Sequence, residues 1–321
     1  MRPLVSVVMP AYNAEKYISE AVESVLCQTY KNFELIVVED ASTDGTLDVI
    51  KTYKDKRIKL FCNPFNQGIA ETTNRGIRES RGTYIALLDD DDIAEADRLS
   101  LQVDYMETHT EIDILGGRTI LINERGEIMD YSNEPRRNPR YIKAVLLFGC
   151  LDFWNGTAMI RKNFIEKHHL YYRNNCYGMQ DYRFYMESSK VGNISSISRF
   201  LLRHRLHKEN NTEQNFCRFS SERAQAYAQL QRESLQKSGF QLTENALALI
   251  NKTLAEKNGG CESVRELEEL YHTFCELLSQ GRAMGIDYLD ELEHVCKVKM
   301  AGQLLKTKDF FKGRKGNEMV K

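Results

Sequence analysis

The stretch GTYIALLDDDD, residues 82–92, decides the fold of this chain. Its apolar part, 84–88, is typical of a strand buried on both faces of a parallel sheet. Four aspartates follow at once, and like charges side by side repel unless a cation or solvent relieves them. In an extended or turning segment Asp89 and Asp91 point to the same side, so both could bind one Mg²⁺ or Mn²⁺ ion, with phosphate oxygens completing its coordination. A solvated acidic turn that caps the next helix is the alternative.

The residues before this stretch alternate between strand patterns and helix patterns. Strands are predicted over 4–9, 34–38, 58–61 and 84–88, and helices over 14–28, 46–53 and 69–79. Asn13 stands where an N-cap would satisfy the first amides of the first helix. Such alternation predicts right-handed crossovers and a parallel sheet, hence the α/β class.

Polar residues follow three of the predicted strands at the point where each strand ends. They are the clusters 11–13, 39–45 and 89–92. In an open parallel sheet, ligands bind outside the carboxyl ends of the strands, so we expect one shared site there. Asp40 can accept hydrogen bonds from a base N–H or from ribose hydroxyls in that site. Asp44 is better explained as part of a turn and helix start.

The composition is that of a globular protein and not of a disordered or fibrous one. Of 321 residues, 42% are hydrophobic and 28% charged, which is enough for one α/β domain and a smaller appendage. The net charge of −2 creates no field that would recruit nucleic acid or an anionic membrane. Eight cysteines lie far apart, without metal-finger spacing. We interpret them as reduced thiols of a cytoplasmic protein.

Both ends of the sequence bear on membrane association. The N-terminus runs directly into a predicted strand without the features of a secretory signal, and no window is apolar for long enough to cross a bilayer. The stretch 304–315, LLKTKDFFKGRK, mixes bulky apolar residues with basic ones, as peripheral membrane segments do. A solvated, frayed tail is the alternative interpretation.

Three nucleotide-handling classes lose support because their signatures are missing. No G-x-G-x-x-G follows the first strand and no G-x-x-x-x-G-K-[ST] occurs, which disfavours hydride transfer and P-loop hydrolysis. Nucleotidyl transfer usually requires a glycine-rich and basic signature near the N-terminus, and that signature is absent as well. A cation on the aspartates 89–92 would supply the positive charge that a phosphate needs.

Four ordered blocks in the first hundred residues resemble the family 2 glycosyltransferases of the GT-A fold. The blocks are 5–13 (VSVVMPAYN), 39–46 (EDASTDGT), 66–68 with 74–76 (NQG and NRG), and 82–92. The resemblance implies a nucleotide-diphosphate sugar donor, usually uridine-based, bound by the N-terminal half.

Carried over position by position, the resemblance implies roles for seven residues. Those around the nucleoside would be Pro10, Ala11, Tyr12 and Asp40. Asp89 and Asp90 would lie beside the ribose and the sugar phosphates, and Asp91 would ligate the metal. Many relatives place an arginine just before the position of Asn74, where this chain has Thr73. A basic contact to the diphosphate from this block is therefore not implied, and Arg75 is the nearest substitute.

Two downstream segments extend the resemblance. Asp181, in MQDYRF at 179–184, matches the family's acidic pair before an aromatic residue and would be the general base, although Gln180 replaces the usual glutamate. The alternative for Asp181 is an N-cap of the helix 182–188. His207, in RHRLH at 203–207, matches an Arg-x-His element that brings a histidine to the metal in some relatives; a surface histidine is the alternative. An imidazole with carboxylates suits Mn²⁺.

Trp154, the only tryptophan, precedes Asn155 and could stack on an acceptor sugar; a core aromatic residue is the alternative. We predict a GT-A domain over 1–215, with a mostly parallel, twisted sheet flanked by helices. Its nucleotide-sugar-binding half is 1–110 and its acceptor-binding half 111–215. A helical subdomain, rich in Glu, Gln, Lys and Leu, follows over 216–321.

The predicted function is a metal-dependent, inverting glycosyltransferase using Mn²⁺ or Mg²⁺. It would transfer a sugar from a nucleotide-diphosphate sugar to a hydroxyl of a saccharide or lipid-linked acceptor, with no nucleic-acid partner. Relatives of this shape often build bacterial surface polysaccharides at the cytoplasmic face of the membrane, which is an expectation by analogy. The alternative is a catalytically inert scaffold that binds a sugar nucleotide, an interpretation favoured by Gln180 and by the missing arginine.

Overall fold

A computed structural model describes residues 2–149, 153–174, 176–207, 220–254 and 260–318. These ranges contain nine β-strands and eleven α-helices. The strands are β1 Val5–Ala11, β2 Phe33–Glu39, β3 Ile58–Cys62, β4 Tyr84–Leu87, β5 Ile93–Ala94, β6 Ile114–Ile122, β7 Ile128–Tyr131, β8 Met159–Arg161 and β9 Ile194–Arg205. The helices are α1 Ile18–Leu26, α2 Thr46–Thr52, α3 Ile69–Glu79, α4 Arg98–Thr108, α5 Pro139–Leu146, α6 Lys162–His168, α7 Gln180–Ser188, α8 Ser220–Lys237, α9 Glu244–Leu254, α10 Val264–Met284 and α11 Leu289–Glu318.

The first four strands form the parallel sheet that the alternating pattern predicts. β3, β2, β1 and β4 lie side by side in that order, and every pair among them is parallel. All residues of β1 and β2 are buried, because helices cover both faces of such a sheet and its central strands are apolar throughout. The carboxyl ends of these strands therefore open at one edge, with the loops that follow them.

The remaining strands continue the sheet with mixed direction. β8 runs antiparallel to β4 and to β6, and β9 is parallel to β6 and carries the short antiparallel β5 at the edge. Two short apolar patterns, 114–115 and 120–122, belong to the single strand β6. Gly116 and Gly117 interrupt the apolar pattern because the side chains of Phe153 and Leu201 occupy the space that a Cβ would need.

Asn13 does not have the capping role that its position predicts. The N-cap of α1 is Tyr17, without a side-chain hydrogen bond, and Asn13 has a positive φ of 52°. Its N–H donates to Ser42 Oγ over 3.1 Å, and its side-chain oxygen accepts the N–H of Thr43 over 2.8 Å. Asn13 thus ties the loop after β1 to the loop after β2.

Asp44 has the structural role that the sequence predicts. Its two carboxylate oxygens accept the N–H of Thr46 over 3.0 Å and the N–H of Glu15 over 3.1 Å. Burial raises the pKa of Asp44, but the hydrogen bonds from Thr46 and Glu15 outweigh it and leave the pKa below its ordinary value. The carboxylate therefore closes the turn that begins α2.

The chain divides into two compact units. One comprises Met1–Pro139 with Asp152–Arg218, and the other Arg140–Leu151 with Phe219–Lys321. The second unit is helical, and α5 packs within it: Ala144 and Phe148 belong to the same buried cluster as Leu277 and Leu292. The boundary expected at 215–216 lies outside the described residues and stays a prediction.

The lengths of the helices and the state of the cysteines bear on membrane association and on redox chemistry. No helix in the described ranges is both long and apolar enough to cross a membrane. The six cysteines with described side chains are all free thiols, and they are Cys27, Cys62, Cys176, Cys261, Cys275 and Cys296.

Candidate functional site

The four aspartates Asp89–Asp92, called the aspartate run below, form a tight turn at the carboxyl end of β4. The N–H of Asp92 donates to the carbonyl of Asp89 over 3.4 Å. One carboxylate oxygen of Asp90 accepts the N–H of Tyr12 over 2.9 Å, which ties the run to the end of β1. The run is therefore held against the neighbouring strand end by its own side chains.

Burial and mutual repulsion make these carboxylates difficult to ionise together. Burial, followed by the charges of Asp92 and Asp91, raises the pKa of Asp89 to about 7. Burial and Asp91 hold the pKa of Asp90 well above its ordinary value, although the N–H of Tyr12 lowers it. A cation among them would relieve this repulsion and favour the ionised forms.

One buried cation already lies beside the run. The guanidinium of Arg98, on α4, donates to the carbonyls of Leu87 and Ala158 over 2.8 Å and 3.4 Å. Burial lowers the pKa of Arg98 to about 10, and the nearby Asp92 and Asp89 oppose that shift. This guanidinium alone balances at most one of the four carboxylates. Sequence reasoning missed Arg98, because an arginine within a helical pattern gives no sign that it is buried beside acidic residues.

Asp92 is bound by residues at the end of β9. Its carboxylate is fully buried and accepts the N–H of Arg205 over 2.9 Å. Nδ1 of His204 lies 3.0 Å and 3.1 Å from its two oxygens. Burial lowers the pKa of His204, but Asp92, and then Asp91 and Asp89, raise it to about 9. Sequence reasoning missed His204, because it singled out only the second histidine of the segment RHRLH.

Asp91 and His207 face each other directly. Nε2 of His207 lies 2.9 Å from Oδ2 of Asp91, and the ring of Tyr17 packs against the imidazole at 4.9 Å between centroids. The two atoms lie within hydrogen-bond distance of each other, and an imidazole nitrogen and a carboxylate oxygen are both groups that would ligate a divalent ion. Within the described ranges no group of three or more His, Cys, Asp and Glu side chains is placed to hold a metal. The other ligands would have to come from a bound diphosphate or from water.

Arg205 fastens the end of β9 to the run and to α1. Its buried guanidinium donates to the carbonyl of Asp91 over 3.0 Å and to the carboxylate of Glu20 over 2.8 Å. It also lies 4.6 Å from the ring centroid of Tyr17. These contacts place His204 and His207 on either side of a fixed residue. A basic residue in a charged stretch is no signal of burial, and sequence reasoning missed this one too.

Asp40 lies at the end of β2, beside the predicted nucleoside residues, and binds the loop before α3. Its carboxylate accepts the side-chain N–H of Asn63 over 2.6 Å and the backbone N–H groups of Gln67 and Gly68, each over 2.9 Å. Its own N–H donates to the carbonyl of Ala11 over 2.8 Å. These contacts give Asp40 a structural role, and its predicted role beside the nucleoside stays a prediction.

The loop after β1 presents one exposed side chain to this edge of the sheet. Pro10 and Ala11 are buried within β1, whereas Tyr12 is 46% exposed. Together with Asp40 and the aspartate run, they lie at the ends of three adjacent parallel strands. The structure thus brings together the residues predicted to bind the nucleotide sugar.

Asp181 lies in the first turn of α7, close to the aspartate run. The N-cap of α7 is Met179, so the alternative interpretation of Asp181 as the N-cap is wrong. Burial raises the pKa of the Tyr185 hydroxyl well above its ordinary value, and the nearby carboxylates of Asp181 and Asp89 raise it further. That hydroxyl donates to the side-chain oxygen of Asn155 over 2.8 Å. Asp181 and Asp89 therefore both act electrostatically on the same tyrosine hydroxyl.

Trp154 is a surface residue and not a core aromatic residue. It is 40% exposed, and its ring stacks on His204 with centroids 4.4 Å apart. It precedes a short 3₁₀ helix, Asn155–Thr157. At Gly156 in that helix, a Cβ would lie 3.3 Å from a carboxylate oxygen of Asp92. The segment with Trp154 therefore lies directly against the aspartate run.

Comparisons with known proteins agree with this geometry. The family model described as Glycosyl transferase family 2 matches residues 6–168. An uncharacterized glycosyltransferase of Haemophilus influenzae is 34% identical over 64% of this chain and 66% of its own length. A UDP-Glc:alpha-D-GlcNAc-diphosphoundecaprenol beta-1,3-glucosyltransferase of Escherichia coli is 31% identical over 61% of this chain and 73% of its own length. Matches to three of the relatives span between 42% and 66% of the relative's length.

The structural comparison bears on the fold alone. A crystal structure of S. aureus TarS in complex with UDP-GlcNAc superposes with a TM-score of 0.62 at 18% identity, covering 96% of this chain and 92% of that one. This likeness confirms the GT-A fold predicted from the four sequence blocks.

Proposed function

This chain belongs to glycosyl transferase family 2, and we propose that it is a metal-dependent, inverting glycosyltransferase. It transfers a sugar from a nucleotide-diphosphate sugar, with UDP as the nucleotide, to a hydroxyl of a saccharide or lipid-linked acceptor. The observation that carries this proposal is the pair of Asp91 and His207, 2.9 Å apart beside three further aspartates at the carboxyl ends of parallel strands.

The electrostatics of the site support a donor bound through a divalent cation. A diphosphate is an anion, and the aspartate run would repel it unless positive charge lies between them. Asp91 and His207 are the residues that would hold Mn²⁺ or Mg²⁺, and the bound ion would stabilise the charge that develops on the departing diphosphate. The E. coli relative named above acts on UDP-Glc, and the structural neighbour binds UDP-GlcNAc, which is why UDP is the nucleotide proposed.

The protein residues around this site divide into donor contacts and acceptor contacts. Pro10, Ala11, Tyr12 and Asp40 line the nucleoside end, and Asp89 and Asp90 lie beside the ribose and the sugar phosphates. Tyr12 supports this assignment, because its side chain is exposed while its N–H is fixed by Asp90. Trp154 contacts the acceptor. The donor half is proposed to span 1–110, the acceptor half 111–215 and the helical subdomain 216–321, although Arg140–Leu151 pack with the helical unit.

Asp181 is the general base in this mechanism. Its carboxylate accepts the proton of an acceptor hydroxyl as that oxygen attacks the anomeric carbon, and the bond from that carbon to the diphosphate breaks. A single displacement inverts the anomeric carbon. The place of Asp181 in the first turn of α7, close to Asp89, supports the assignment because the base must lie beside the sugar that the run helps to bind. The reaction would take place in the cytoplasm, at the inner face of the membrane if the acceptor is lipid-linked.

A panel of UDP-, GDP- and dTDP-sugars tests the donor, with and without Mn²⁺. A donor that binds the folded state raises the melting temperature by mass action. We expect stabilisation by UDP-sugars that requires Mn²⁺, and slow Mn²⁺-dependent hydrolysis of the same sugars. Binding without hydrolysis or transfer would support the inert scaffold instead, and no stabilisation by any sugar nucleotide would refute the proposal.

A further inference from the structure

The imidazole of His204 joins the aspartate run to the exposed indole of Trp154. Its Nδ1 lies 3.0 Å and 3.1 Å from the carboxylate oxygens of Asp92. Its ring stacks on the indole with centroids 4.4 Å apart and an angle of 29° between the planes. A fully buried anion, an imidazole with a 16% exposed side chain and a surface indole thus follow one another. We call this arrangement the Asp92–His204–Trp154 column.

Backbone contacts hold both ends of the column. At one end, the N–H of Arg205 donates to Asp92 over 2.9 Å. At the other end, the carbonyl of Trp154 accepts the N–H of Thr157 over 2.8 Å and its hydroxyl over 2.7 Å. Gly156 leaves room for Asp92, since a Cβ there would lie 3.3 Å from Oδ2 of that residue. Of the three side chains in the column, the indole of Trp154 has the largest exposed fraction.

The imidazole of His204 covers one face of the indole. Its Nδ1 lies within hydrogen-bond distance of the carboxylate of Asp92, which fixes the ring, and stacked aromatic rings attract each other. The remainder of the indole is left to a ligand.

We propose that His204 is a positioning residue, which fixes the indole of Trp154 as the platform on which a pyranose ring of the acceptor stacks. The inference rests on the proposed function, because it assigns a saccharide to the acceptor side of the same site. A flat, amphipathic indole offers a large contact area to the C–H face of a sugar ring. Ordering a free side chain opposes binding, and an indole already held by His204 avoids that loss.

The sole tryptophan makes the column observable without any sugar transfer. Trp154 is the only tryptophan of the chain, so all tryptophan emission reports on this ring. A histidine ring in contact with an indole quenches its emission by accepting charge from the excited ring. We expect His204→Gln to brighten the emission. His109→Gln is the matched control, because His109 stacks on Tyr105 at 4.0 Å outside the column, and it should leave the emission unchanged.

Acceptor binding is measured with the same signal. Methyl N-acetyl-α-glucosaminide, titrated into protein loaded with UDP and Mn²⁺, should change the emission of the parent protein. In His204→Gln the midpoint should rise by about three- to tenfold, the effect of ordering one further side chain on binding. UDP is titrated with Mn²⁺ into the same variant, so that an effect on the donor is separated from an effect on the acceptor. Matching melting curves exclude an effect on folding.

Three results would overturn the inference. They are unchanged emission in His204→Gln, a parent emission that does not respond to the pyranoside, and the same midpoint in both proteins. A double-mutant cycle adds a fourth arm: with transfer as the assay, His204→Gln should raise the acceptor KM in the parent but not in Trp154→Leu. Equal effects in both backgrounds would show that His204 does not act through the indole. If the emission results are as expected but the parent protein transfers no sugar, the proposed function is wrong. The inference that His204 fixes the indole of Trp154 for a pyranose ring would still stand.

Discussion

Oδ2 of Asp91 and Nε2 of His207 lie 2.9 Å apart and join the turn after β4 to the residues that follow β9. The two residues are 116 positions apart in the chain, so only the folded sheet can bring them together. Arg205 fixes the approach, because its guanidinium donates to the carbonyl of Asp91. The pair would offer one carboxylate oxygen and one imidazole nitrogen to an ion that a diphosphate would share.

Replacing Asp91 by asparagine should weaken Mn²⁺-dependent UDP binding by about tenfold or more. Mutating a residue that only orients a metal ligand lowers metal affinity by about ten- to a hundredfold, and loss of a ligand should cost at least as much. Isothermal titration calorimetry with and without Mn²⁺ measures this. Asp130→Asn, an exposed aspartate of β7, is the matched control and should bind as the parent does. Unchanged UDP affinity in Asp91→Asn would mean that the aspartate run is a solvated turn and not a metal site.

Asp181→Asn should separate the role of general base from that of metal ligand. A general base contributes about a hundred- to ten-thousandfold to rate, so transfer should fall by that factor while UDP-sugar affinity stays near normal. The variant must first show the melting curve of the parent, because Asp181 accepts the N–H of Tyr182 in the first turn of α7. Transfer at the parent rate by folded, donor-loaded protein would place the base elsewhere.

Asp40→Ala should destabilise the sheet unit by about 1 to 3 kcal/mol, because it removes the carboxylate that accepts from one buried and two partly buried N–H groups. Those groups belong to Asn63, Gln67 and Gly68. Chemical denaturation measures the free energy of unfolding. Glu79→Ala, an exposed carboxylate at the end of α3, should change it by less than about 0.5 kcal/mol. Equal values for the two variants would contradict the structural role of Asp40.

Removing residues 309–321 should leave donor hydrolysis intact and weaken binding to anionic vesicles by at least about fivefold, since each basic residue near such a surface contributes about 1 kcal/mol. The cut falls after Thr307, whose hydroxyl lies 3.2 Å from the carbonyl of Cys261. Sedimentation with vesicles of phosphatidylglycerol and phosphatidylcholine measures binding. A variant with Phe310 and Phe311 changed to serine keeps the charges and separates apolar from electrostatic attachment. Equal sedimentation of truncated and full-length protein would leave a solvated tail as the explanation.

Hydrophobic periodicity predicts the helices and strands of the donor half well. The spacing of apolar residues within one helix or strand depends only on which of its faces is buried, so it can be read from a short stretch of sequence. The helix α3 begins and ends where the pattern at 69–79 predicts. Hydrophobic periodicity fails at β6. There Gly116 and Gly117 interrupt the apolar pattern, because the side chains of Phe153 and Leu201 fill the space that a Cβ would need. No local signal reveals that a neighbour thirty or more residues away fills the space above a glycine.

The sequence by itself determined the elements, the edge at which ligands bind, and the aspartate run, since strand ends and turns depend on neighbouring residues. The tertiary structure decided which side chains meet that run. His204 lies 112 positions from Asp92, and Arg205 lies 185 from Glu20. Such pairs depend on how the strands close into one sheet. The charge that a buried carboxylate or imidazole carries follows from those partners, because burial and nearby charges set its pKa.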